Sequence, residues 1–329
     1  MKQPDFGAFV ISLDFELHWG VRDHSSATGD YRQNLLGEQQ VVPSLLSLFR
    51  EFEIAATWAT VGFLFAKSKS ELDSFKPSVL PAYADASLFP YDEEIGADEE
   101  SDPLHYAPRL IEQIQNTPRQ EIATHTFSHY YCLEAGQNEE SFAADLQSAV
   151  AIAEPYGVRP RSIVFPRNQC NSEYESVLLE NGIVCYRGNQ KSWMYQVTDI
   201  NRKHPLYRAA RLADSYFNVA GAHTFKWQDI WSDNIANVPA SMFLRPFSKK
   251  MGRLEKLRLQ RIKGSIAFAA ERREIYHLWW HPHNFGVNLE ENLNFLREIL
   301  TTFREYQKSH DMRSLSMLDV ALTARDFAG

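Results

Sequence analysis

The sequence has little cysteine, no excess of positive charge and no long hydrophobic run, and each shortage excludes a class of protein. Its 329 residues include three widely separated cysteines, which argues against a disulfide framework. The formal net charge is -8, so we expect no nucleic-acid partner, because such partners require a basic surface. No apolar run reaches the roughly 18 residues of a membrane-spanning helix. The N-terminus lacks the apolar segment of a signal peptide, which predicts a cytoplasmic protein.

What is present is the composition of a globular protein, with 44% hydrophobic and 13% aromatic residues. Short apolar runs, typical of strands buried on both faces, alternate with segments whose apolar residues recur at helical spacing. The predicted strands lie at 9–13, 53–65, 121–124, 162–165, 182–186 and 275–280. The predicted helices lie at 38–52, 139–156, 172–180 and 289–310. This alternation predicts an α/β fold with one domain over residues 1–329 and an irregular insertion at about 193–264.

The insertion ends in a basic segment, residues 245–263, in which apolar residues interleave with lysine and arginine. The pattern resembles a basic amphipathic helix on an otherwise acidic protein. One explanation of this pattern is a solvated helix face. The other is a surface on which Lys249, Lys250 and Arg253 bind phosphate-bearing substrates or an anionic membrane.

Two histidines four residues apart form the strongest functional signal. His125 and His129 directly follow the predicted strand 121–124. On a helical turn, residues at this spacing share one face, where two imidazoles can converge on one metal ion. Ligand sites in parallel α/β folds lie at the carboxyl ends of strands, which favours a metal site over two surface histidines.

Two acidic residues follow the first predicted strand. Asp14 and Glu16 are two positions apart, so in an extended chain both point to the same side. Two neighbouring carboxylates are unfavourable unless a cation lies between them. A divalent ion bound by one carboxylate, His125 and His129 would supply that charge, and the other carboxylate could deprotonate water. An exposed acidic turn is the alternative.

Three histidines cluster around the last predicted strand. His281 ends that strand and could act as a general acid toward a leaving amine, with a packed histidine as the alternative. For His277 and His283 we expect a structural role.

A polar loop follows the strand 162–165. Arg167 could pair with Asp14 or Glu16 from this position. The neighbouring Asn168 and Gln169 could donate hydrogen bonds to an oxyanion or to a sugar hydroxyl. An exposed polar turn is the alternative.

The order of these motifs resembles that of the polysaccharide deacetylases, the NodB-homology or carbohydrate esterase family 4 group. The segments EIAATWATVGFLF and EIATHTFSHYY resemble the family's second strand and its third strand with the histidine motif. The resemblance spans residues 8–285, with the insertion poorly covered. It implies a distorted (β/α)7 barrel, a bound divalent ion, often zinc, and hydrolysis of an N-acetyl group on an amino sugar.

The resemblance also implies roles for individual residues. His125 and His129 would be metal ligands, and His281 would protonate the leaving nitrogen. The family's acidic motif has two adjacent aspartates, a base and then a ligand. Here Asp14 matches the first and Phe15 stands at the second, which makes Glu16 the expected ligand, although the opposite assignment stays open.

The arginine loop departs from the family pattern. This chain reads FPRNQ, where the family usually has arginine before proline and a Gly-Tyr pair after it. Arg167 is therefore the candidate partner of the base by position only.

Together with the family resemblance, these observations predict a metal-dependent N-deacetylase. With no export signal, a nucleotide-linked or lipid-linked amino sugar of surface polysaccharide synthesis is the expected substrate. Trp193, Trp279 and Trp280 are candidates for a wall against a sugar ring, with a core role as the alternative for the last two. Two other functions stay open, namely a related amidase acting on cyclic or non-sugar amides and a catalytically silent sugar-binding module.

Overall fold

A parallel β-sheet with helices around it forms the protein. The computed structural model describes residues 3–195, 205–231 and 234–328, without the side chains of Trp193 and Ala328. The strands are β1 Ala8–Phe15, β2 Ala56–Thr60, β3 Gln120–Thr124, β4 Ser162–Ile163, β5 Cys185–Tyr186, β6 Ala236–Asn237, β7 Met242–Phe243, β8 Ile275–Trp280 and β9 Arg313–Leu315.

The strand order is β6-β5-β4-β3-β2-β1-β8-β7, and β9 pairs with β1 outside this path. All of these pairings are parallel. Within the described residues no pairing joins β6 to β7, so the sheet curls without closing. The predicted distorted (β/α) barrel is therefore confirmed, with eight strands along the path where the family resemblance implied seven.

The helices cover the outside of the curled sheet. They are α1 Arg32–Phe52, α2 Lys69–Ser74, α3 Pro108–Gln115, α4 Glu139–Ala153, α5 Glu175–Glu180, α6 Pro205–Asp214, α7 Glu255–Arg272, α8 Leu289–His310 and α9 Met317–Ala328. None of the described helices is both long and apolar enough to cross a membrane.

Local sequence explains where these elements begin and what they bury. Asn138 caps α4 by accepting a hydrogen bond from the Ser141 backbone N–H at 2.9 Å. On α1, the residues at helical spacing, Val41, Leu45 and Phe49, are fully buried. All eight residues of β1 are buried, because strands pair on both of its edges and helices cover its faces.

Parallel pairing brings the strand ends to one edge of the sheet. Leu13 of β1 pairs with Trp280 of β8, and Thr60 of β2 pairs with Thr124 of β3. The residues that follow these strands therefore lie next to one another, and the candidate functional residues are among them.

The predicted insertion contributes to the barrel. Residues 193–264 contain β6 and β7, two strands of two residues each that belong to the main sheet. The basic segment within it is only partly solvated. Lys249, Lys250 and Arg253 are exposed, whereas Arg258 is buried with its guanidinium 3.9 Å from the Phe295 ring centroid.

Candidate active site

Asp14, at the carboxyl end of β1, is held by a buried arginine that follows β5. Its Oδ1 accepts a hydrogen bond from Arg187 Nη1 at 2.6 Å, and its Oδ2 accepts one from Nη2 at 2.8 Å. Burial raises the pKa of Asp14, but the guanidinium outweighs burial and holds this pKa below its usual value. Asp14 is therefore ionised at neutral pH, and both of its oxygens are fixed.

Glu16 lies two residues further on and reaches both histidines of the paired motif. Its Oε2 lies 3.1 Å from His129 Nε2 and 3.3 Å from His125 Nε2. All three side chains are buried, and one ligand atom from each lies within 4.8 Å of the others. The structure thus brings together the three residues that the sequence singled out for a metal ion.

The paired histidines lie on a loop, so the prediction of a helical turn is wrong. The φ angles of Thr126 and His129 are 64° and 57°, which an α-helix does not permit. Asp145 of α4 holds the loop by accepting hydrogen bonds from the backbone N–H groups of Phe127, at 2.7 Å, and Ser128, at 3.1 Å. The Asp145 carboxylate thus accepts hydrogen bonds that backbone carbonyl groups would accept in a helix. The two imidazoles still converge on Glu16, although the loop is not helical.

The hydrogen bonding of His125 leaves its other ring nitrogen available to a metal ion. His125 Nδ1 lies 2.7 Å from the carbonyl oxygen of Val164, which only accepts, so Nδ1 carries the proton. In the neutral ring Nε2 is then a lone pair that faces Glu16 Oε2 at 3.3 Å. Two acceptors at this distance repel each other unless a cation lies between them. A histidine N–H donated to a carbonyl is also typical of metal-binding histidines.

The ionisation of the cluster suits metal binding. Burial lowers the pKa of His129 to about 4 against the opposing effect of Glu16, so the ring is neutral at physiological pH. Burial raises the pKa of Glu16, but His281 and the paired histidines outweigh it and hold that pKa well below its usual value. Metal ions bind neutral imidazole and ionised carboxylate. A second group, Glu16 with His281 and His283, also has its ligand atoms within 4.8 Å.

His281, after β8, lies beside both carboxylates. Its Nε2 is 3.7 Å from Asp14 Oδ2 and 3.4 Å from Glu16 Oε1. The ring stacks on His283, with centroids 5.1 Å apart, and contacts Trp279 edge-on. With 24% of its side chain exposed, His281 can reach a bound molecule while its neighbours fix its orientation.

His277 is packed in the interior, which is the structural role expected for it. Its Nε2 lies 2.8 Å from Ser12 Oγ, and its Nδ1 lies 3.1 Å from the carbonyl oxygen of Pro239. Burial lowers the pKa of His277 to about 3, with Arg187 adding to the effect. His283 is also buried, and burial lowers its pKa to about 3.

His277 should make the protein sensitive to acid. An unfolded histidine titrates near 6.5, so between pH 6.5 and about 3 the unfolded chain binds one more proton at this position than the folded chain. Stability therefore falls as pH drops through this window, by about 1.4 kcal/mol per pH unit from His277 alone. The free energy of unfolding is measured in urea between pH 4.5 and 6. For His277→Gln, the slope of this free energy against pH should be smaller than that of wild type by this amount. An unchanged slope would contradict a neutral, buried His277.

Arg167 does not pair with Asp14 or Glu16, so that prediction is wrong. Arg167 forms ion pairs with Asp23 and with Glu134, the latter at 3.0 Å, and lies over the Tyr131 ring. Its φ of 56° places its backbone in the left-handed region, which few residues other than glycine adopt. Arg187 occupies the predicted position beside Asp14.

The two amides after Arg167 have different surroundings. Asn168 lies at the cavity wall, and its Oδ1 accepts a hydrogen bond from Arg187 Nη2 at 3.0 Å. Gln169 instead bonds the Leu133 N–H and Glu134 Oε1, at 3.0 and 2.8 Å. Its amide is thereby committed to a neighbouring loop, which argues against the predicted contact with substrate.

These residues surround a cavity of about 880 Å³, a size suited to a small organic ligand. The predicted residues along its wall are Asp14, Glu16, His125, His129, Arg167, Asn168, Trp279 and His281. The loop after β1, which sequence reasoning did not single out, adds His24, Ser25 and Tyr31.

A family model described as polysaccharide deacetylase matches residues 29–186, the part that contains β2 to β5 and the paired histidines. The match places this part of the chain, just under half of its length, in the polysaccharide deacetylase family. The match leaves out Asp14 and Glu16 on one side and Arg187 and His281 on the other. In the structure Asp14, Glu16 and His281 line the same cavity as the paired histidines, and Arg187 bonds Asp14.

The deacetylase fold recurs in solved structures of low sequence identity. A Mycobacterium smegmatis protein assigned as a polysaccharide deacetylase is 15% identical with a TM-score of 0.61, over 99% of this chain and 93% of that one. Puue allantoinase is 12% identical with a TM-score of 0.56, over 97% and 90%. A Pseudomonas aeruginosa protein assigned as a polysaccharide deacetylase is 11% identical with a TM-score of 0.54, also over 97% and 90%. These likenesses show the fold alone. No curated protein sequence matches the chain.

The three tryptophans predicted to form a wall against a sugar ring have different surroundings. Trp279 is partly exposed and lines the cavity, with the Arg187 guanidinium 4.2 Å from its ring centroid. Trp280 is fully buried and stacks on Phe285, so it belongs to the core. The side chain of Trp193 lies outside the described part of the chain, and its role stays a prediction.

Proposed function

We propose that the protein is a metal-dependent deacetylase that removes an N-acyl group from an amino sugar. The observation that supports this most directly is that Asp14, Glu16, His125, His129 and His281 line one cavity. Amide hydrolysis requires a base for water, stabilisation of the developing negative charge and an acid for the leaving nitrogen. This set of side chains supplies candidates for all three.

Asp14 would accept the proton of the water that attacks the acyl carbon. Arg187 keeps it ionised and holds its orientation. The same guanidinium bonds Ser12 Oγ and Asn168 Oδ1, both at 3.0 Å, so it is itself fixed. A base held in this way loses little entropy when the substrate reacts.

His281 would donate a proton to the nitrogen as the C–N bond breaks. The products are then a carboxylic acid and a free amino sugar. Because two carboxylates face its Nε2 at 3.4 and 3.7 Å, the ring is placed where a proton can be held until the leaving group takes it.

Glu16, His125 and His129 would hold the metal ion. Two imidazoles and one carboxylate are a donor set typical of catalytic zinc, so we propose zinc. When bound, the ion supplies an electrophile for the acyl oxygen and lowers the pKa of water. The assignment of Glu16 to the ion and Asp14 to the proton is supported by the two hydrogen bonds that already occupy Asp14.

A second cavity, of about 240 Å³, supports an anionic substrate. It adjoins the first through Arg167, Asn168 and Trp279, which line both. Arg245 also lines it and forms no salt bridge with any carboxylate that the structure describes. Because a guanidinium without a carboxylate partner favours phosphate, we propose a nucleotide-linked or lipid-linked amino sugar of surface polysaccharide synthesis. The exposed Lys249 would suit contact with anionic lipid.

Arg245→Met should raise KM for a nucleotide-linked N-acetyl sugar about tenfold to a hundredfold, because one charged hydrogen bond to phosphate is lost. It should leave kcat, and the rate on a neutral N-acetyl oligosaccharide, nearly unchanged. Lys249→Met, on the same segment but outside both cavities, is the matched control. Equal losses on charged and neutral substrates would count against phosphate recognition.

The proposed reaction is tested by measuring released acetate and amine after incubation with N-acetylated nucleotide-linked, lipid-linked and neutral sugars. Activity should depend on added zinc and disappear with a chelator. Allantoin belongs in the panel, because the fold shared with an allantoinase makes hydrolysis of cyclic amides the second candidate. Turnover of allantoin alone would favour that candidate. Sugar binding without turnover, unchanged by His125→Ala and His281→Ala, would indicate a silent binding module.

A further inference from the structure

A second cluster of potential metal ligands lies just beyond β1 and shares no residue with the first. His18 Nδ1 is 3.0 Å from His105 Nε2. Glu93 Oε1 is 3.6 Å from the first nitrogen and 3.9 Å from the second. Both rings are buried, whereas 29% of the Glu93 side chain is exposed. The three ligand atoms thus meet at one point near the surface.

The outward nitrogens of the two rings determine what the facing nitrogens can do. His18 Nε2 lies 3.0 Å from the carbonyl oxygen of Ser25, and His105 Nδ1 lies 2.7 Å from Asp102 Oδ2. Both partners are acceptors, so both outward nitrogens carry a proton. In the neutral rings, His18 Nδ1 and His105 Nε2 are then lone pairs facing each other. Together with Glu93 Oε1, three acceptors therefore converge with no donor among them.

We propose that His18, Glu93 and His105 bind a second divalent transition-metal ion, most suitably zinc. Two imidazoles and one carboxylate favour zinc over magnesium or calcium, which prefer oxygen ligands. The contacts of the rings with Ser25 and Asp102 are the carbonyl and carboxylate contacts that accompany metal-bound histidines. The exposed side of Glu93 leaves room for water as a further ligand.

The ion at this site would order one wall of the catalytic cavity. His18 follows β1, and His105 precedes α3. Glu93 belongs to the segment 67–102, here called the acidic stretch because it ends in Asp92, Glu93, Glu94, Asp98, Glu99, Glu100 and Asp102. These segments also meet through hydrogen bonds from the His18 N–H to the Leu104 carbonyl, at 3.1 Å, and from Trp19 Nε1 to the His105 carbonyl, at 3.0 Å. Since Ser25 lines the cavity and accepts from His18, the ion would connect the acidic stretch to that wall.

The test is the zinc content of the full-length chain after removal of metal and reconstitution with zinc alone. Wild type should retain two equivalents against a moderate chelator. Glu93→Ala should retain one, because a partly exposed ligand is lost and the Glu16 cluster is untouched. Glu94→Ala, at the adjacent exposed position, should retain two.

A second variant keeps the test informative if the first disturbs the loop. Asp102→Asn preserves an acceptor but not the charge beside His105, and it should weaken binding of the second equivalent about tenfold to a hundredfold in a chelator competition. The proposal would be overturned if wild type and Glu93→Ala both retained one equivalent of zinc, or if both retained two. Neither result depends on whether the protein is a deacetylase.

Discussion

Replacement of Asp14 by asparagine should lower kcat about 10²-fold to 10⁴-fold on any substrate that the wild type hydrolyses, the range expected when a general base is removed. Zinc content should equal that of wild type, because in our assignment Asp14 holds a proton and not the ion. Activity and metal content are measured on the same preparation, and circular dichroism checks the fold.

Glu16→Gln is the matched control for this experiment, since it alters the other carboxylate of the same motif. It should lose one equivalent of zinc together with activity. Loss of zinc from Asp14→Asn, with zinc retained by Glu16→Gln, would reverse the two assignments.

Replacement of Arg187 by methionine should reduce the free energy of unfolding by about 3–5 kcal/mol, the usual cost of leaving one member of a buried ion pair without its partner. Arg187 is fully buried, and Asp14 would remain in the interior without its counter-charge. The pKa of Asp14 should then rise, since burial would no longer be outweighed. Activity should therefore be lost at a higher pH on the acid side than in wild type. Urea unfolding and a pH–rate profile measure the two effects.

Arg167→Met distinguishes this effect from the general loss of an arginine. Arg167 is 23% exposed, and its ion pairs with Asp23 and Glu134 lie near the surface. The loss should be about 1 kcal/mol, with no shift of the acid limb. Equal destabilisation by Arg187→Met and Arg167→Met would show that the buried ion pair between Arg187 and Asp14 contributes no more to stability than an ion pair near the surface.

Much of the fold was predictable because buried strands and amphipathic helices have periodic sequences. The helix predicted at 289–310 has these same bounds in the structure. β6 and β7 have two residues each and carry no such period, so the segment that contains them looked like an insertion. β9, of three residues, was missed for the same reason.

The candidate site was predicted from one rule, that ligands meet at the carboxyl ends of parallel strands. The rule located Asp14, Glu16, His125 and His281, which line one cavity. It could also have found Arg187, which directly follows the predicted strand 182–186. Arg167 likewise follows the neighbouring strand 162–165, so the rule alone does not distinguish the two arginines.

The sequence by itself determined the alternation of strands and helices and the side chains available at each strand end, because both depend only on residues close together in the chain. Only the tertiary structure decided which of these side chains pair. Arg187 lies 173 positions from Asp14, and His105 lies 87 positions from His18. Such pairings depend on strand order and on turn angles such as that of Arg167, which arise from packing across the whole chain.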